Sequence, residues 1–239
     1  MPHRLRALLA TTTVCILTIT IACAPPRGFN FDVTCDMRAY TPPEYAGADY
    51  FEGACIALRE LGPGAFMVIP GDLDPPDRVR ATLDAVLGPE YVMYPVVGNH
   101  ELGAPEYMQY LREYNDGGSS LPGIVRGGPP GAEETCYSFD HENAHFVVLN
   151  QYYDGVSDSG TDGDVVPALL EWLAVDLTEN DKPYVFVVGH EPTVAIPDLD
   201  NGRVRHRGDS LDQYEQNNHR FWTLLRQHRV VAYLCGHSH

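Results

Sequence analysis

Five apolar runs of strand length in this chain each end in an Asp, Asn or His, and this regularity constrains the fold more than any other feature of the sequence. The runs are 31–35 (FDVTC) before Asp36, 65–69 (AFMVI) before Pro70-Gly71-Asp72, 91–97 (YVMYPVV) before Gly98-Asn99-His100, 184–188 (YVFVV) before Gly189-His190, and 230–235 (VVAYLC) before Gly236-His237. Segments of helical period separate them. Phe51, Ala54, Cys55, Leu58 and Leu61 fall on one helical face, and 77–87, 105–114, 167–179 and 212–228 suit helices. The alternation predicts an α/β domain, and 239 residues with 44% hydrophobic content suffice for one large core. In open α/β sheets ligands bind outside the carboxyl ends of the strands, so the five strand ends are expected to converge on one crevice.

The remaining segments carry less. Residues 136–140 (CYSFD) and 145–149 (HFVVL), joined by His141-Glu142-Asn143-Ala144, read as a hairpin. The Gly/Pro-rich stretch 116–135 reads as a mobile loop, and 191–211 as a polar loop. Trp172 and Trp222 have Leu neighbours at helical spacing and are expected in the core.

The N-terminus belongs to a different physical class. Arg4 and Arg6 precede an uncharged apolar stretch, 7–22, which breaks at Cys23 and Pro25-Pro26. That is the form of an export signal over 1–23, too short for a comfortable membrane span, followed by a linker over 24–30. Cys23 after Ala22 looks like a lipoprotein cleavage site, with Thr20 where Leu is usual. The expected address is therefore the cell envelope, attached through a lipid on Cys23, or the secreted fraction. Cys35, Cys55, Cys136 and Cys235 remain in the mature part; four cysteines allow three pairings, and Cys55 and Cys235 are expected as buried free thiols. With 33 acidic against 16 basic residues the net charge is −17, which argues against coating nucleic acid, since that binding is driven by Lys and Arg. A small phosphorylated partner stays compatible, because bound cations reverse the field locally.

In chain order the strand ends carry Asp36, Gly71-Asp72, Gly98-Asn99-His100-Glu101, Gly189-His190 and Gly236-His237-Ser238-His239. These are oxygen and nitrogen donors without a thiolate, a set that suits Mn, Fe or Zn. A carboxylate can bridge two cations, and two ions roughly 3.5–4 Å apart can clamp both the attacking and the leaving oxygen of a phosphoryl displacement.

These blocks resemble the calcineurin-like metallophosphoesterase superfamily, whose ordered signatures are an Asp after the first strand, GD, GNH[ED], an isolated GH and GHxH. The stretch from Tyr137 to Asp140 and on through Ala144 to Asn150 looks like its purple-acid-phosphatase branch. The resemblance covers 31–239 and implies a four-layer αββα sandwich of two mixed β-sheets flanked by helices. It implies hydrolysis of phosphate mono- or diesters by a hydroxide generated at two divalent or trivalent ions. By the same resemblance Asp72 bridges the ions, Asp36 and His239 complete one site, and Asn99, His190 and His237 complete the other. His100 would then stabilise the phosphoryl oxygen or protonate the leaving group.

Two departures qualify this. The family commonly has Asp-x-His in the first block, whereas here it is Asp36-Met37-Arg38; the Tyr that purple acid phosphatases place three residues after the bridging Asp is Pro75. The first site thus has three evident ligands, and Arg38 is either a fixed charge for substrate phosphate or a structural ion pair. The chain also stops at His239, where family members continue, so the domain is expected to be C-terminally truncated. Two readings of the run Arg203-Val204-Arg205-His206-Arg207 stand side by side: a solvated loop balancing Asp198, Asp200 and Asp209, or a substrate lip beside His190, with Arg205 as its binding residue. Asp74, Asp77 and Glu101 read as loop or cap carboxylates, with Glu101 able to orient a neighbour. Against the phosphoesterase stands a catalytically weak binding protein of the same fold with an impaired first metal site.

Overall fold

The computed structural model describes residues 28–37, 47–194, 196–197, 202–204, 206–208 and 210–238. The export signal with Cys23, most of the linker, and the site candidates Arg38, Arg205 and His239 lie outside them. No helix among the described residues is long and apolar enough to cross a membrane.

Two sheets form the centre. The smaller holds β1 (Asp32–Val33), β2 (Phe66–Ile69) and β3 (Val92–Pro95) in the order β1-β2-β3, all parallel. The larger runs β4 (Ile124–Gly127), β5 (Tyr137–His141), β6 (Ala144–Val148), β7 (Tyr184–Val188) and β8 (Ala232–Leu234), antiparallel from β4 to β6 and parallel from β6 to β8. The helices are α1 (Gly47–Leu61), α2 (Pro76–Val86), α3 (Asn99–Leu102), α4 (Pro105–Tyr114), α5 (Pro167–Glu179) and α6 (Glu215–Gln227).

Strand alternation explains the layering. Successive strand side chains point to opposite faces. Phe66 and Val68, with Tyr94 of β3, therefore face the second sheet, where they meet Phe139, Phe146 and Val188, while Met67 and Ile69 turn to Phe51 and Cys55 of α1 and Leu83 of α2. On β6 and β7 the same rule sends Val147, Val185 and Val187 outward against Leu169, Leu173 and Leu177 of α5 and Phe221 and Leu225 of α6. The result is the four-layer αββα arrangement, with an aromatic layer between the sheets.

Most elements fall where periodicity places them, and four details differ. The stretch 116–135 is not merely a loop: Ile124–Gly127 pairs antiparallel with β5. Asn99–Leu102 is a single helical turn, too short to show a period. Trp222 is 39% exposed, because the buried stripe of α6 runs through Phe221 and Leu225 and leaves it about 100° off that face. Cys235 is exposed, whereas Cys55 is a buried free thiol as expected. Packing also begins ahead of Phe31: the ring of Phe29 lies 4.6 Å from that of His141 and 6.2 Å from that of Phe66.

Candidate metal centre

Each described ligand candidate follows within a few residues of a strand end, and the connections there are shaped by what must fit beside them. Asp36, Asp72 and His237 all have positive φ, at 59°, 58° and 70°. That region is uncommon for residues with a Cβ and is tolerated mainly where function fixes it. The glycines of the motifs have steric reasons. A Cβ on Gly71 would stand 2.3 Å from Nδ1 of His190, and one on Gly98 would stand 2.4 Å from Oδ1 of Asp72. The GD and GNH glycines are thus the spaces into which the ligands of other turns pack.

The ends of β2, β3, β7 and β8 bring four donors together. Nε2 of His190 lies 3.1 Å from Oδ1 of Asn99, 3.2 Å from Nδ1 of His237 and 3.4 Å from Oδ1 of Asp72, and Nδ1 of His237 lies 3.1 Å from Oδ1 of Asn99. His190 is fully buried, and its Nδ1–H donates to the carbonyl of Pro70 at 2.8 Å. A carbonyl only accepts, so in the neutral ring the lone pair is on Nε2, which faces further acceptor atoms. Lone pairs this close repel unless a cation or a proton lies among them. Edges of this length enclose a point about 2 Å from each corner of a tetrahedron, the bond length of zinc to nitrogen or oxygen. The donor set therefore fits a borderline cation.

Asp36, from the end of β1, joins from the side. Ligand atoms of Asp36, Asp72 and His190 all lie within 4.8 Å of one another, and Oδ1 of Asp36 accepts the backbone N–H of His237 at 3.1 Å. His100 stands at the edge of the cluster. Its Nδ1 meets Oδ2 of Asp74 at 3.1 Å, its Nε2 lies 3.9 Å from Oδ2 of Asp72, and its backbone N–H donates to Oδ1 of Asp72 at 3.1 Å. Glu101 is fully buried, and its Oε2 accepts the N–H groups of Gly98 at 2.6 Å and Asp72 at 3.1 Å, tying the GD and GNH turns together. Burial and the neighbouring charge of Asp72 push its pKa up to about 7, against those two hydrogen bonds.

Several residues around the centre escaped the sequence reading. Oε1 of Gln151 accepts the N–H groups of both His190 and Glu191 at 2.7 Å, and so sets the GH turn. Tyr152 hydrogen-bonds the carboxylate of Glu191, which faces His237. The ring of His206 lies 3.8 Å from that of His237, so the arginine-rich run reaches the centre through its histidine. Asp74 was visible as a carboxylate beside Asp72; Gln151, Tyr152 and Glu191 gave no signal, because their partners lie 39 or 40 residues away. By contrast His145 is buried at the other end of β6, between Asp140 at 2.7 Å and Asp176 at 2.8 Å.

Comparison with solved structures gives a purple acid phosphatase, PPD1, isolated from seeds of yellow lupin (Lupinus luteus), at 12% identity with a TM-score of 0.46. The match covers 86% of this chain and 37% of that one, so this chain spans well under half of that protein. Among curated proteins nothing matches. The family model for calcineurin-like phosphoesterases matches residues 48–239, which takes in every strand end described except that of β1 with Asp36. The chain belongs to the calcineurin-like phosphoesterase family.

Proposed function

We propose that this protein is a metal-dependent hydrolase of phosphate mono- or diesters with a dinuclear centre. The observation that carries the reading is the convergence of Asp72, Asn99, His190 and His237, whose donor atoms face one another at 3.1–3.4 Å. These four would hold one ion. Asp72 and Asp36 would hold the other, with His239 as a further ligand. Bound there, the ions supply Lewis-acid charge and acidify a coordinated water.

The chain's own groups do the rest. Asp74 fixes the ring of His100, which leaves Nε2 beside the centre to protonate the leaving oxygen or stabilise the phosphoryl oxygens. Glu101 and Gln151 hold the turns so that the donors need no rearrangement. Arg38, Arg205 and the run around His206 would recognise the phosphate, offsetting the negative field of an acidic chain. The Asp36 site is proposed as the weaker one, because Arg38 and Pro75 stand where relatives place ligands. Export to the cell envelope through Cys23, or secretion, completes the reading.

The test is hydrolysis of a generic phosphate monoester and a diester by the full-length protein with added Mn²⁺, beside Asn99→Ala and His100→Ala. Loss of turnover in both variants is expected. Turnover that survives both substitutions refutes the mechanism, and a wild-type protein that binds metal without turnover favours the binding-protein alternative. Two equally tight metal equivalents per chain would overturn the weaker first site.

A further inference from the structure

We infer that Glu191 is a positioning residue for the metal centre, a buried carboxylate that fixes which nitrogen His237 offers to a cation. The inference rests on the proposed metal-binding role of His237. Glu191 is 2% exposed, and its Oε2 faces Nε2 of His237 at 3.4 Å, on the side of the ring away from Asn99 and His190. A carboxylate there favours the tautomer with the proton on Nε2 and leaves the lone pair on Nδ1, the atom that faces the other donors. His190 is treated in the mirror sense: the carbonyl of Pro70 takes its Nδ1 proton and frees Nε2. The two imidazoles therefore need opposite tautomers, and each has its own acceptor. Partners of this kind on the non-ligating nitrogen orient metal-binding histidines and raise their basicity.

The surroundings of Glu191 hold it for this task. Tyr152 donates its hydroxyl to Oε1, the backbone N–H of Glu191 donates to Gln151 at 2.7 Å, and Tyr233 donates to its carbonyl at 2.6 Å. Room for the side chain comes from Gly163, where a Cβ would stand 2.5 Å from Cγ of Glu191. Oε2 is a buried oxygen without a well-formed hydrogen bond among the described residues, and it faces the imidazole of His237 at 3.4 Å, with the hydroxyl of Ser210 as the other polar group beside the carboxylate.

The experiment measures zinc affinity by chelator competition for wild type, Glu191→Gln, Glu191→Ala and Tyr152→Phe, together with the melting temperature of each metal-free protein. The alanine variant is expected to bind zinc about 10- to 100-fold more weakly. Glutamine, which keeps an oxygen acceptor and the shape, should recover part of that loss, and Tyr152→Phe should cost less than either. Nitrogen-15 chemical shifts of His237 in the metal-free protein should report the Nε2–H form in wild type and a mixture of tautomers in the alanine variant. Unchanged zinc affinity in folded glutamine and alanine variants overturns the inference, even where the melting temperature drops. If the alanine variant does not fold, the glutamine variant and its His237 shifts decide. A wild-type chain that binds no zinc overturns the metal-centre reading itself, and with it this inference.

Discussion

The aromatic layer between the sheets and the rim at the strand ends are built from the same strands and obey opposite rules. In the layer, the rings of Tyr94 and Phe139 stack at 3.6 Å, those of Phe139 and Phe146 at 4.9 Å, and those of Phe146 and Phe186 at 5.0 Å. None of these residues has positive φ, and the residues are apolar on alternate positions, so the layer supplies burial. A few residues further along the same strands, the rim puts buried His190, His237, Asp72, Glu101 and Glu191 together, with positive φ at three of its turns. Clustering acceptors and carboxylates in a buried place costs stability, and the layer underneath offsets that cost. The comparison teaches that stability and chemistry are separated along the strand axis, so substitutions in the two regions should fail differently.

The largest effect is expected at the rim. His100→Ala should lower kcat/KM for a phosphate ester by about 10²–10⁴-fold, the usual worth of a positioned acid or base. The midpoint of denaturant unfolding should barely move, because the ring is only half-buried. A large fall in stability with turnover intact would erase the distinction between the regions.

The reverse pattern belongs to the layer. Phe146→Ala removes a fully buried ring that touches both sheets and should cost about 3–5 kcal/mol in urea unfolding. Molecules that stay folded should keep the zinc affinity of the wild type. Weakened zinc binding in a folded Phe146→Ala would show that the rim depends on the layer for its geometry as well as its stability.

The smallest effect sharpens the comparison at the far end of β6, where a polar cluster lies away from the strand-end centre. Burial opposes the charge of His145, but hydrogen bonds to Asp176 and Asp140 and their charges outweigh it and raise its pKa. A raised folded pKa means that the stabilisation is complete below about pH 6.5, the value for an unfolded His, and is lost as pH rises through the folded value. His145→Gln should therefore be less stable than wild type by roughly 1.5–3 kcal/mol at pH 5.5, with the gap narrowing in alkaline solution. Thermal unfolding across pH checks this, and a gap that widens with pH would contradict it.

How much of this was legible in the sequence follows from the range of the forces involved. The strands, the hairpin and the strand ends that carry Asp, Asn and His could be read because alternation and glycine punctuation are local. Ile124–Gly127 could not, because four residues among glycines and a proline carry too little pattern, and only pairing with β5 makes them a strand. Trp222 misled because helical spacing fixes a face and not which face is covered. The supports of the centre were hidden for a third reason. Gln151, Tyr152 and Glu191 act through contacts between distant segments, and nothing in their local sequence announces a partner. Asp74 was seen and set aside as a loop carboxylate, yet it is the group that holds His100.

The central claim is that Asp72, Asn99, His190 and His237 jointly hold a cation. Anomalous diffraction from crystals soaked with zinc tests it most directly. The account predicts an anomalous peak about 2 Å from Nε2 of His190 and from Nδ1 of His237, with Asn99 and Asp72 completing the shell. A peak bound through the opposite nitrogens, or zinc found only away from these four residues, would contradict it.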